Sequence, residues 1–230
     1  MSPQNLAAAV REVRERIARA AQDAGRSAQS VTLLAVGKAQ PVGLLEAAAA
    51  CGISDFGESY LQEALEKIAA LQERPLTWHF IGRIQANKTR PIAEHFAWVH
   101  AVDRLKIAAR LAAQRPAHVA PLNVCLEVNV AGELSKGGVA PAELPELARA
   151  VAALPRLALR GLMCIPPEET EPARQRAWFA RLRVLFEQLN AAGTRLDTLS
   201  MGMSADFEAA IAEGATIVRV GTALFGARPR

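Results

Sequence analysis

The sequence predicts an α/β fold, a single (β/α)8 TIM barrel with one extra helix at its N-terminus. Three observations predict it. Short apolar runs rich in β-branched residues alternate with helical segments along the 230 residues, and such alternation implies parallel strands with helices outside the sheet. Eight such units close into a barrel, for which ~250 residues is typical. No Gly-x-Gly-x-x-Gly follows the first strand, which argues against an open doubly wound sheet.

The elements follow in order. Ser2 and Pro3 read as N-cap and first residue of a helix with Leu6, Val10, Val13, Ile17 and Ala20 on one stripe and Gly25 as its stop. Residues 31–38 are the first strand, and 41–51 a helix stopped by Gly52. Residues 53–56 form a strand and 59–71 a helix, opened by the capping box of Ser59 and Gln62. Residues 77–81 are a strand, and 85–95 a helix interrupted at Pro91. Strands at 98–102, 122–130 and 157–165 alternate with helices at 104–114, 141–154 and 173–192, the last with Trp178, Leu182, Leu185, Phe186 and Leu189 inward. A strand at 196–199, a helix at 206–213 and a strand at 216–220 complete the set.

Composition bounds the function classes. The chain is 51% hydrophobic and 22% charged, without a Gly/Ser tract or charge block, so residues 1–230 read as one domain with 1–25 as the extra helix. The net charge is +4, but arginines alternate with carboxylates, and Glu12–Arg16 and Glu15–Arg19 read as i,i+4 pairs on a solvated face. No aromatic-basic ribbon is present, and nucleic acid is not expected as a partner. Cys51, Cys125 and Cys164 lack disulfide or zinc spacing, and no His/Cys/Asp cluster has metal spacing. Neither a signal peptide nor a bilayer-length apolar run is seen, so a cytoplasmic setting without membrane contact is expected. Asn87-Lys88-Thr89 therefore carries no glycosylation meaning, and the segment from Gly82 to Thr89 lacks the second glycine of a phosphate loop.

In a barrel, chemistry collects at the C-terminal ends of the strands. Lys38 follows the first, Gly57, Glu58 and Ser59 the second, Gly82 the third, Ser135 and Lys136 the fifth, and Met163 ends the sixth. Ser200, Met201, Gly202, Met203 and Ser204 follow the seventh strand, and Gly221 and Thr222 the eighth. Loops after strands seven and eight often bind phosphate in barrels. Ser204 also reads as a helix N-cap and Gly221 as a plain turn. Asp206 is expected to point away from an anion. A partly desolvated lysine has a lowered pKa and a neutral amine suited to Schiff-base chemistry. Lys38 is thus a candidate to carry pyridoxal phosphate, or else a strand-end lysine reaching solvent. Arg219 is a candidate donor to a ring nitrogen, which a permanent cation would keep unprotonated, or an exposed strand residue. His79 reads as a core histidine or a cofactor contact.

The motifs Leu33 to Lys38, Phe56 to Glu63, Trp78 to Gly82, Gln85 to Lys88, Val102 to Arg104, Ser135 to Gly138, Arg160 to Met163, Leu199 to Ser204 and Val218 to Gly226 resemble those of the pyridoxal phosphate homeostasis proteins. Those are single barrels similar to the N-terminal domain of alanine racemase. The resemblance runs from about residue 31 to the C-terminus. It implies that Lys38 forms the internal aldimine, that Ser200, Ser204, Gly221 and Thr222 lie around the phosphate, with Gly202 and Met203 also binding the cofactor, and that Arg219 faces the pyridine nitrogen. Ser59, His79, Met163 and Lys136 are further candidates for cofactor contact. It implies a cofactor-buffering role in vitamin B6 balance without established turnover, with transient contact to apo-enzymes, and a monomer is expected. Three departures stand out: Ser59 replaces an Asn, and Gly37 and Gln40 replace a Ser and a second lysine. The alternative is an amino-acid racemase or related pyridoxal enzyme. That would need a second domain supplying a base, whereas the chain ends at Arg230 and has one tyrosine, Tyr60. A class I aldolase would leave Arg219 and the two anion loops unexplained.

Overall fold

The structure, a computed structural model, describes residues 2–133 and 136–227. The strands are β1 (Thr32–Val36), β2 (Asp55–Glu58), β3 (Thr77–Phe80), β4 (Trp98–Val102), β5 (Leu122–Glu127), β6 (Leu157–Met163), β7 (Thr198–Met203) and β8 (Ile217–Val220). All pair in parallel in chain order, and β8 closes on β1 to complete the barrel. The helices are α1 (Pro3–Asp23), α2 (Val42–Ala50), α3 (Leu61–Ala70), α4 (Thr89–His95), α5 (Leu105–Gln114), α6 (Leu144–Ala152), α7 (Pro172–Ala191), α8 (Phe207–Ala212) and α9 (Thr222–Phe225). Helices and strands alternate as the apolar periodicity predicts. The main core lies between the two layers, where Phe56, Ile92, Ile107, Leu111, Leu162, Leu182 and Val218 are buried.

The extra helix α1 is set by local chemistry. Ser2 Oγ accepts the N–H of Asn5 at 3.2 Å, and Gly25 follows the helix end with φ of 67°. Leu6, Val10, Val13, Ile17 and Ala21 are buried, against α8 and α9 among others. Each large aliphatic on that stripe contributes roughly 1.5–3 kcal/mol. Arg16 reaches across to Glu208 at 2.7 Å and lies over the Phe207 ring, in place of the expected i,i+4 partner Glu12.

Several boundaries differ from the sequence reading, each for a physical reason. β2 and β7 run on through Glu58 and Met203, because their polar and glycine residues face partners inside the fold and do not mark turns. β5 and β6 stop sooner, at Glu127 and Met163. The Ser59 capping box is not formed: α3 starts at Leu61 behind Tyr60, without a side-chain cap. Ser59 instead packs its backbone against Gly82, where a Cβ would sit 2.3 Å from Ser59 O. Pro91 does not interrupt its helix. It is the third residue of α4, where a missing N–H costs no intrahelical bond. On α7, Phe179, Leu182 and Leu189 are buried, while Trp178, Leu185 and Phe186 are only half-buried.

Candidate functional site

Lys38 lies two residues beyond β1, in a turn closed by the Gln40 N–H donating to Gly37 O at 3.0 Å. The turn is entered by Gly37, whose N–H donates to Gly57 O at 3.0 Å. Ala39, next in the turn, has φ of 61°. Lys38 is half-buried. β1 pairs with β8 in the register Leu34 to Arg219 and Ala35 to Val220, so the Lys38 turn and Gly221 leave the barrel side by side. A Cβ on Gly221 would lie 3.5 Å from Val36 Cβ.

The loops after β7 and β8 are joined. Ser204 Oγ accepts the Ala223 N–H at 3.2 Å, so Ser204 bridges to the α9 turn and does not cap α8. Asp206 Oδ1 accepts the Met203 N–H at 2.6 Å, turning the carboxylate onto its own loop's backbone. Burial raises its pKa, against that N–H and the Arg219 charge. Gly202 has φ of 90°, and a Cβ there would meet Ala210 Cβ at 2.6 Å and Phe207 Cα at 2.9 Å. Only glycine allows α8 so close to the end of β7. Thr222 opens α9 and is exposed.

Inside the barrel runs a line of polar side chains. Arg219 is 5% exposed, not the open strand residue of the alternative reading. It donates to Ser200 O at 2.6 Å, Ser200 Oγ at 2.9 Å and Cys164 O at 2.9 Å. Ser200 Oγ meets His100 Nδ1 at 2.7 Å, His100 Nε2 meets His79 Nδ1 at 2.9 Å, and His79 Nε2 meets Asp55 Oδ1 at 3.1 Å. The direction of each bond follows by elimination. The Asp55 carboxylate only accepts, so neutral His79 gives it the Nε2 proton and takes the His100 Nε2 proton on Nδ1, which leaves His100 Nδ1 to accept the Ser200 hydroxyl; both histidines carry their proton on Nε2. Burial lowers the pKa of both, His100 far more, which keeps them neutral. Burial would raise the Asp55 carboxyl, but hydrogen bonds from His79 and Ser54 outweigh it and lower its pKa. Arg219, one residue before the end of β8, is thus a buried cation with no carboxylate hydrogen-bonded to it among the described residues. Burial lowers its pKa from a value high enough that it stays charged.

The remaining sequence candidates divide. Ser200 is wholly buried inside β7 and engaged by His100 and Arg219, so it is a support of Arg219 and not a free hydroxyl of the loop. His79 takes the core role: both ring nitrogens are engaged and its ring stacks on Trp98. Met163 is buried with Ala101 and Cys125, and Ser59 is half-buried at the end of β2. Lys136 pairs with Glu133 at 2.8 Å in its own loop, while Ser135 lies outside the described residues. Asp55, His100, Glu58, Glu63 and Lys67 were not singled out by sequence reasoning beyond Glu58's place at a strand end. A signal existed for Lys67, a charge beside the apolar stripe of Leu61, Ala64, Ile68 and Leu71.

This chain and its closed parallel barrel have counterparts among known proteins. The family described as alanine racemase, N-terminal domain, matches residues 9–229. The pyridoxal phosphate homeostasis protein of Pseudomonas aeruginosa is 63% identical, over 97% of this chain and 96% of its own. This chain belongs to that family. The Escherichia coli K12 member is 52% identical over 94% of each chain. PipY of Synechococcus elongatus PCC7942, solved with PLP bound, is 40% identical and superposes with a TM-score of 0.79 over 86% of this chain and 93% of its own. The alanine racemase of Corynebacterium glutamicum, 18% identical with a TM-score of 0.69, shares the fold across 94% of this chain and 60% of its own.

Proposed function

We propose that this family member holds pyridoxal 5'-phosphate covalently through Lys38 and serves to balance the supply of that cofactor in the cell, without turnover of its own. The observation that carries the reading is the arc formed by the ends of β7, β8 and β1. It places an amine, a buried guanidinium and hydroxyl-bearing loops on three adjacent strands. This donor set fits the group. An aldehyde asks for an amine, a pyridine nitrogen for a donor, and a phosphate for hydroxyls and backbone N–H groups with no opposing carboxylate. Asp206 meets the last condition by bonding its own loop.

Each side chain then has a task. Lys38 would hold the cofactor through its Nζ, the amine that an aldehyde requires for a Schiff base. Ser204, Gly221 and Thr222 bind the phosphate, with Gly202 and Met203 shaping the strand end beside them. Arg219 would face the ring nitrogen and, being permanently charged, would favour its unprotonated form, in which the ring is a weak electron sink. Ser200 and the histidine line fix the guanidinium. Ser59, Met163 and Lys136 are available as lesser contacts at the mouth. The protein acts as a cytoplasmic monomer of one domain that meets apo-enzymes transiently, and it engages neither nucleic acid nor membrane. Among the described residues no helix is long and apolar enough to cross a membrane.

The test is a titration of the purified protein with pyridoxal phosphate, followed by absorption spectroscopy and by chiral chromatography of single-enantiomer alanine. A visible band that saturates, with no racemisation at an enzymatic rate, is the expected result. No band at all would rule out the binding reading, and rapid racemisation would make the protein an enzyme.

A further inference from the structure

The turn that presents Lys38 is held from outside its own strand. Lys67 lies on the inner face of α3, its side chain 3% exposed. Its ammonium donates to Gly37 O at 2.7 Å and to Glu58 Oε1 at 2.8 Å, and it pairs with Glu63 one helical turn earlier. Glu63 Oε1 accepts the Ala39 N–H at 2.7 Å. The backbone just before Lys38 and the backbone just after it are therefore both tied to one helix, the first by an ammonium and the second by a carboxylate.

The turn has need of such ties. Ala39 sits at φ of 61°, a conformation that a residue with a Cβ adopts only against steric resistance. Glycine would hold it without help. A leucine at position 67 would pack on the barrel at no desolvation cost, whereas a buried ammonium must be fully bonded. Lys67 meets that demand with three acceptors for its three donors. Glu58 completes the arrangement. It is wholly buried, its Oε2 has no partner among the described residues, and a Cβ on Gly37 would lie 2.7 Å from its Oε1. The cluster therefore fills the space directly beneath the turn.

From this geometry we infer that Lys67 and Glu63 are positioning residues that set the backbone on either side of Lys38, with Glu58 anchoring the Lys67 ammonium. The inference rests on the proposed joining of Lys38 to the cofactor, and the two can fail separately. A merely structural ion cluster would alter melting alone. A positioning cluster also alters the turn and the reactivity of Lys38, whatever it does to melting.

The experiment uses Glu63→Ala, whose side chain is partly exposed, and the double variant Lys67→Met with Glu58→Gln, which removes the buried charges together. Deuterium exchange at the Ala39 and Gln40 amides is read in ligand-free protein, and borohydride trapping of pyridoxal phosphate is located by peptide mass. Exchange about tenfold faster and trapping at Lys38 about tenfold slower are expected, the loss of one charge-assisted hydrogen bond. Adding Ala39→Gly to Glu63→Ala should recover part of the trapping rate, since glycine accepts the turn unaided. Wild-type exchange and wild-type trapping in Glu63→Ala would overturn the inference. Trapping of the parent protein at another lysine would instead overturn the reading of Lys38, and the amide exchange would still judge the clamp.

Discussion

Two polar clusters lie behind the mouth of this barrel, and they are built differently. The line from Asp55 through His79, His100 and Ser200 to Arg219 runs inside the sheet, and every bond in it has a donor and an acceptor. Its histidines are neutral and its ends are oppositely charged. The cluster of Glu58, Lys67 and Glu63 lies between the sheet and α3 and leaves Glu58 Oε2 without a hydrogen-bond partner among the described residues. Burial pushes the Glu58 carboxyl up to about 7, against the pull of the Lys67 and Lys38 charges. The first cluster is a fixed wire that orients a cation. The second is a clamp on a turn, and its charge changes near neutral pH. A fully paired buried network specifies one geometry, while a partly paired one stays sensitive to its proton count.

The comparison can be broken from either side. The largest effect is expected from Lys67→Met, which leaves Gly37 O and the buried Glu58 carboxyl without their donor and drives Glu58 to hold a proton in the interior. It should cost about 3–5 kcal/mol in denaturant unfolding of the ligand-free protein. If it costs under about 1 kcal/mol, the range of an exposed pair, the clamp is not a buried ion cluster. His100→Leu interrupts the wire and leaves Ser200 and His79 each short of a partner, for a loss of about 1–3 kcal/mol. Nitrogen NMR of the parent protein should find both His79 and His100 protonated on Nε2 alone across neutral pH. A proton on Nδ1 of either would reverse the assigned direction of the wire.

The pH response separates the clusters further. Glu58 ionises more readily in the unfolded chain, near 4.5, than in the fold, near 7. The unfolded state therefore releases its proton first, and this group's contribution makes stability fall as pH rises from 4.5 to 7 and level off above. Glu58→Gln should flatten that part of a melting-temperature profile. Asp55 acts in the opposite sense, since its folded pKa is lowered: its contribution is present above the unfolded value and is lost on acidification. The smallest effect belongs to the surface. Arg16→Ala removes a half-exposed pair with Glu208 and a contact over Phe207, and denaturant unfolding should register no more than about 1 kcal/mol.

What the sequence disclosed follows the same division. β4 matches the expected 98–102, and β1, β3 and β8 lie within their expected runs, because β-branched stretches between turn residues leave little choice. The places of Lys38 and Arg219 at strand ends were legible because a charge at the end of an apolar strand is conspicuous. Ser200 was misplaced because strand β7 continues through a serine and a glycine that look like a loop. His100 and Ser200 are 100 residues apart and touch only because the barrel closes in one register, which local patterns do not encode. The capping box at Ser59 satisfied a motif, yet the pairing of β2 with β3 holds the chain extended through Glu58, delaying the helix to Leu61. Lys67 was visible only as a flaw in an apolar stripe, and its meaning depends on a turn thirty residues earlier.

The central claim is that Lys38 is the covalent anchor. The most direct measurement is borohydride reduction of the protein loaded with pyridoxal phosphate, digestion and mass mapping, run beside Lys38→Ala. A single modified peptide containing Lys38 is expected, with a Lys38→Ala protein that melts like the parent yet incorporates no label. Label of equal amount in Lys38→Ala, carried on Lys136 or any other lysine, would contradict it.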